Sequence, residues 1–214
     1  MTATRRLPQP PLLVVTDRRQ AHGPLETVVE AAFAAGCRWL LLREKDLHPV
    51  ALRQLASRLA ALSRSHGARL SIAGDISLAA EVGADGVHLP RGGDVAAARS
   101  KLGASALIGL SAHDRAEAER AAAAGADYVT LSPIFPSESK PGYGPALGLE
   151  PLARMAEALP IPVIALGGVT ADKAEACLTV GAGGVAVMGE VMRAEDPGAI
   201  VAALLGRLAA LSDL

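Results

Sequence analysis

Two glycine-rich turns carry the sharpest chemical signal in the 214-residue chain. In "ALGGVTADK" Gly167 and Gly168 close one apolar run, and in "VMGEVM" Gly189 closes the next. Backbone without side chains lets N–H groups approach phosphate oxygens, often beside a helix N-terminus, so these turns point to a phosphate site. They also suit plain tight turns that bind nothing. The segment "SPIFPSESKPGYGPALG" is the longest irregular stretch, and a long loop inside a compact domain is usually functional or disordered. Within it Ser137, Ser139 and Lys140 offer hydroxyl donors and a cation to an anionic ligand, and Gly142, Gly144 and Gly148 give the flexibility of a lid. A solvated surface loop is the plainer alternative.

His113, two residues after Ser111, can titrate near neutral pH as an acid or base, or can cap the helix beginning at Asp114. His88 lies in an apolar strand and suits an interior histidine satisfied by a neighbour. In "WLLLREKDL" four apolar residues run straight into Arg43, Glu44, Lys45 and Asp46. The two acids are placed to hold the two cations or to face the next helix.

Something must bring these scattered groups together. Short apolar runs alternate with Ala-rich amphipathic stretches from end to end, with no linker to mark a second domain. The strand-like runs are residues 12–17, 38–44, 69–74, 86–90, 106–112, 128–134, 162–168 and 184–190. Continuous apolar strands imply burial on both faces, as in parallel sheets. A joint recurs in "AAGCRWL", "EVGADGVHL", "AAGADYVTL" and "TVGAGGVAV": helix, capping glycine (Gly36, Gly83, Gly125, Gly181), tight turn, strand. Eight strand–helix units in this length predict a single-domain α/β fold, a closed (β/α)8 TIM barrel over residues 12–214 after an N-terminal extension of residues 1–11. An open doubly wound sheet is the runner-up, but no G-x-G-x-x-G follows the first strand. In a barrel the functional groups gather where the strands end, which collects all the residues above on one rim.

Composition narrows the partners. Lys and Arg number 21 against 22 Asp and Glu, a formal charge of −1 without a long basic run, so nucleic acid is not an expected partner. No apolar stretch reaches the roughly 18 residues that span a bilayer, and the N-terminus does not read as a signal peptide. Cys37 and Cys177 fall in no metal or redox spacing and read as buried free thiols. A cytoplasmic protein is expected, with a homo-oligomer left open.

Taken in order, "LLLREKDL", "GADGVHL", "GLSAHD", "SPIFPSESK", "PVIALGGVT" and "GVAVM" resemble the thiamine phosphate synthase and TenI-type family of barrels, from about Leu12 to Met192. In the synthases a thiazole phosphate is joined to a hydroxymethylpyrimidine diphosphate, and diphosphate is expelled with help from magnesium. The resemblance implies that Arg43, Lys45 and Ser111 hold diphosphate and that Lys140 closes the strand-six loop. It puts Ser137 and Ser139 on the thiazole phosphate in place of the usual threonines, beside the phosphate turn of Gly167 and Gly168.

Other positions depart from the synthase pattern. Leu41 stands where a glutamine reads the pyrimidine, and "Ala73-Gly74-Asp75" replaces Asn-Asp-Arg. Gly74 and Gly93 occupy the two metal-aspartate positions, and each is followed by an aspartate. Asp75 and Asp94 are therefore the candidate metal ligands, with magnesium a cofactor only if synthase activity is retained. The usual strand-eight serine aligns with Met188 or Gly189. These departures favour a thiazole-phosphate-binding member nearer the TenI-type side, whose tautomerases move a proton without metal or diphosphate. There the strand-six histidine of some members is Pro133, which leaves His113 or another rim group to move the proton. The alternatives are an active synthase with shifted magnesium ligands, and a barrel that only binds the ligand in a regulatory role.

Overall fold

The computed structural model describes residues 7–137 and 145–210. Each predicted apolar run supplies one strand: β1 (Leu12–Val15), β2 (Trp39–Leu42), β3 (Arg69–Ala73), β4 (Gly86–Leu89), β5 (Leu107–Ala112), β6 (Tyr128–Leu131), β7 (Val163–Leu166) and β8 (Gly184–Val187). All eight pair in parallel in sequence order, and β8 returns to β1 through Leu12 opposite Val185. The expected closed (β/α)8 barrel is the observed fold.

Around it lie α1 (Leu25–Ala34), α2 (Pro49–Ser65), α3 (Ile76–Val82), α4 (Val95–Leu102), α5 (Arg115–Ala123), α6 (Leu149–Ala158) and α7 (Ala171–Thr179). A four-residue α8 (Gly189–Met192) follows β8 and leads into α9 (Pro197–Ala209).

Successive strand residues point to opposite faces. Leu12, Val14, Leu40, Leu42, Ile72 and Val87 therefore pack outward under the helices, while Leu13, Val15, Trp39, Leu41, Leu107 and Tyr128 fill the barrel interior. Leu7, ahead of the first strand, joins that interior cluster. The repeated joint forms as read: Gly36, Gly83, Gly125 and Gly181 all take positive φ. Its aspartates have a further task. Asp85 accepts the Leu70 N–H at 2.9 Å, and Asp127 accepts the Ile108 N–H at 2.7 Å, so each ties its turn to the preceding strand.

Cys37 and Cys177 are both buried and free, and burial pushes each thiol up to about 11. No helix among the described residues is long and apolar enough to cross a membrane. The strands end earlier than the apolar runs suggest, since residues such as Thr16 and Arg43 leave the sheet to build the mouth.

Candidate functional site

Thr16, directly after β1, is wholly buried, and its hydroxyl accepts the Arg43 N–H at 2.9 Å. That bond carries the chain out of β2 so that Arg43 and Lys45 both line a cavity of about 1180 Å³ at the barrel mouth. Glu44, between them, also borders the cavity but has partners of its own. It is 6% exposed, and both its oxygens accept the Arg18 N–H, at 3.0 and 3.2 Å. Desolvation raises its pKa above the usual carboxylate range, against the hydrogen bonds from Thr16 and Arg18. Asp46 pairs with the Arg18 guanidinium at 3.0 Å. The acids of "REKD" thus hold Arg18 of the neighbouring loop rather than Arg43 and Lys45, which make no ion pair among the described residues.

The cavity floor is polar. His88 of β4 is 7% exposed; its Nδ1 lies 3.1 Å from the Tyr128 hydroxyl, and its Nε2 lies 3.0 Å from Ser111 Oγ and 3.3 Å from Thr130 Oγ1. Desolvation, then the nearby Arg43 charge, pushes the imidazole down to about 4, so it is neutral in the physiological range. The reading of His88 as a satisfied interior histidine holds, with one addition: it also lines the cavity, as does Ser111.

His113 reaches the mouth too, but it does not cap a helix. Asp114 caps α5 by accepting the Glu117 N–H at 2.8 Å. The His113 Nδ1 instead faces the Ser132 carbonyl at 3.0 Å, and because a carbonyl only accepts, Nδ1 carries a proton.

On the β7 side, Gly167 and Gly168 line the cavity with Gly189, Thr170 and Ser137. Close approach explains the glycine at 168: a Cβ there would lie 2.2 Å from the Pro136 carbonyl oxygen, and its φ of +64 is left-handed. The pair therefore makes room for the segment after β6, which bonds back through Ile134 N–H to Leu166 and Phe135 N–H to Gly167, each at 2.9 Å. This packing role accompanies the phosphate reading and does not depend on it. Ser139 and Lys140, expected in the strand-six loop, lie outside the described residues.

Sequence reading missed Lys173. It lines the cavity, its Nζ donates to the Gly168 carbonyl at 3.3 Å, and it sits 5.0 Å from the Phe135 ring centre. A signal was present, since a cation in the first turn of α7 works against the helix dipole and is out of place unless it serves something else. Arg193, after α8, also lines the cavity and donates to Gln20 Oε1 at 2.6 Å.

A magnesium ion needs several oxygen ligands converging on one point. Asp75 and Asp94 do not converge. Each caps its own helix, Asp75 accepting the Leu78 N–H and Asp94 the Ala97 N–H, both at 2.8 Å. Both side chains are exposed and neither lines the cavity. Among the described residues no group of three or more His, Cys, Asp or Glu can hold a metal. Among the described residues the side chains do not fit a magnesium site.

Part of the cavity lining is apolar: Leu41 of β2 and Ala73 of β3 on one side and Leu166 of β7 and Met188 after β8 on the other, and none can hydrogen-bond a heterocycle through its side chain.

Known proteins give this geometry a context. The thiamine monophosphate synthase family model matches residues 12–191. A protein of Geobacter sulfurreducens named a putative thiamine-phosphate synthase is 43% identical over 199 residues, covering 92% of this chain and 93% of that one. The thiamine-phosphate synthase of Chromobacterium violaceum is 42% identical, covering 91% and 94%. Among solved structures, the thiamine phosphate pyrophosphorylase of Pyrococcus furiosus superposes with a TM-score of 0.84 at 30% identity, covering 94% and 96%. All three names favour the synthase alternative over the TenI-type side on which the pyrimidine and metal departures had placed the chain. The match to the family model spans every strand of the barrel, and the chain belongs to the thiamine monophosphate synthase family.

Proposed function

We propose that this barrel is a thiamine-phosphate synthase that joins a thiazole phosphate to a hydroxymethylpyrimidine diphosphate and releases diphosphate. One observation carries the reading. Arg43 and Lys45, without ion pairs among the described residues, face the same cavity as Lys173 and the Gly167–Gly168 turn, with β1 and β8 between them. Two separate anion poles suit a reaction between two phosphorylated substrates. A one-substrate proton transfer needs only one.

In this reading the glycine turn, Ser137 and Lys173 hold the thiazole phosphate, while Arg43, Lys45 and Ser111 hold diphosphate. As the carbon–oxygen bond to diphosphate breaks, the electron pair leaves with the diphosphate oxygen, and the lone pair of the thiazole ring nitrogen forms the new bond to the same carbon. Cations and a hydroxyl donor already in place stabilise that charge without reorganising. The test is to incubate the protein with both substrates and measure thiamine phosphate and free diphosphate in equal amounts. Absence of both products at substrate saturation, with and without added magnesium, would overturn it.

The second reading is a TenI-type thiazole tautomerase with His113 as the proton carrier. It is favoured by the apolar wall at Leu41 and Ala73 and by the lack of converging carboxylates among the described residues. Aromatisation of the thiazole carboxylate phosphate that is lost in His113→Ala would establish it.

A further inference from the structure

At the two positions where the resemblance expects metal aspartates, the fold works against a side chain of any kind. A Cβ at Gly93 would lie 2.6 Å from Leu89 Cβ and 3.1 Å from the Pro90 carbonyl oxygen. Gly74 has a φ of +75, left-handed backbone in which a side chain is strained. Diphosphate still needs its charge met, and the loop after β4 carries a cation.

That loop opens with a tight turn. The Gly93 N–H donates to the Pro90 carbonyl at 2.9 Å, and Gly92, third in the turn, takes a φ of +72. The turn fixes the backbone of Arg91, which lines the cavity. At its near end the Arg91 Nε lies 2.5 Å from Glu117 Oε1, and the two side chains are 68% and 4% exposed. Glu117 divides its oxygens. Oε2 accepts the His113 N–H at 2.9 Å, whereas Oε1 is buried without an aligned hydrogen bond and has the Arg91 charge beside it. A buried carboxylate is costly unless it is paired, so Arg91 is tethered at Nε. Its two Nη groups make no hydrogen bond among the described residues. They leave four N–H donors in one plane, an arrangement that grips two phosphate oxygens at once.

Strand order places this guanidinium. Arg43 and Lys45 follow β2, Arg91 follows β4 and Ser111 lies in β5, whereas the glycine turn follows β7. We propose that Arg91, tethered by Glu117, is a third cation of the diphosphate pole and meets the charge that a metal ion would otherwise meet, so that diphosphate binds without magnesium. The proposal rests on the synthase reading above.

Calorimetric titration with inorganic diphosphate in EDTA tests it. The wild-type protein is expected to bind, and Arg91→Gln to bind at least about tenfold more weakly, the loss of hydrogen bonds between charged groups. Because Arg91→Gln leaves the Glu117 charge buried alone, Arg91→Gln combined with Glu117→Gln is the second variant. It keeps the net charge, and the glutamine oxygen still accepts the His113 N–H. It is expected to keep the urea midpoint and to show the same loss, while thiazole-phosphate binding changes by less than about twofold in both variants. Wild-type affinity in the double variant would assign the loss in Arg91→Gln to the unpaired Glu117 charge and overturn the role of Arg91. So would an equal loss of thiazole-phosphate binding. Wild-type binding that appears only with magnesium overturns the metal-free pole, although the synthase reading stands. Absence of diphosphate binding in either condition overturns the synthase reading itself.

Discussion

Burial and the Arg43 charge hold His88 at about 4, well below the 6.5 of an unfolded histidine. Between these values the unfolded chain binds a proton that the folded site refuses. Stability therefore rises with pH through that window and is lost as pH falls through it. At about 1.4 kcal/mol per unit, the shift from 6.5 to about 4 corresponds to about 3 kcal/mol. Glu44, raised by burial, tilts the dependence the other way above 4.5. The informative measurement is thus the difference between wild type and His88→Gln in urea midpoint across this window. The variant is expected to lose the upward slope, and retention of the slope would assign it to another group. Asp75 and Asp94 make a second case. Asparagine caps a helix as well as aspartate does, whereas alanine costs about 1 kcal/mol. Asp75→Asn and Asp94→Asn are expected to keep both the melting temperature and the affinity for diphosphate in magnesium, while the alanine variants lose stability alone. Loss of magnesium-dependent affinity in either asparagine variant would make that residue a ligand.

Strand-to-strand fit governs the elements that carry these residues. Gly109 of β5 stands opposite Tyr128 of β6, and a Cβ at Gly109 would lie 2.0 Å from the phenol ring carbon Cζ. Gly109→Ala is expected to destabilise by at least about 1–3 kcal/mol, the usual cost of overpacking, since the ring is also held edge-on against Trp39 at 4.8 Å. An unchanged urea midpoint would show that Tyr128 has room to move. This contact also marks the limit of what was legible in the chain. Apolar runs and joint glycines disclosed all eight strands, because a continuous apolar run and a glycine turn after a helix are local properties. The rim followed from the strand ends, and Arg43, Lys45, Ser111, His113, Gly167, Gly168 and Gly189 do meet in one cavity. Partners across strands were not legible. Nothing local says that Glu44 and Asp46 reach Arg18 or that Tyr128 fills the space Gly109 leaves. The caps of Asp75 and Asp94 are local, three-residue bonds, and an aspartate just before a helix was a readable signal that the metal reading passed over.

At the scale of the whole molecule the proposed function has the barrel set two anion poles apart. Strand order puts the "REKD" segment after β2 and the glycine turn after β7, with β1 and β8 between them, while Ser111 approaches from β5. The same closure brings the apolar wall of Leu41 and Ala73 next to the first pole, so affinity there is expected to come from charge more than from reading a ring. Raising the ionic strength is accordingly expected to weaken diphosphate binding more than thiazole-phosphate binding. Independence of the two poles is tested most directly by titrating thiazole phosphate calorimetrically into protein already saturated with inorganic diphosphate. The expected result is that one thiazole phosphate still binds per chain, with diphosphate retained. Displacement of diphosphate, or loss of thiazole-phosphate binding, would mean a single shared anion site and would contradict the two-substrate reading.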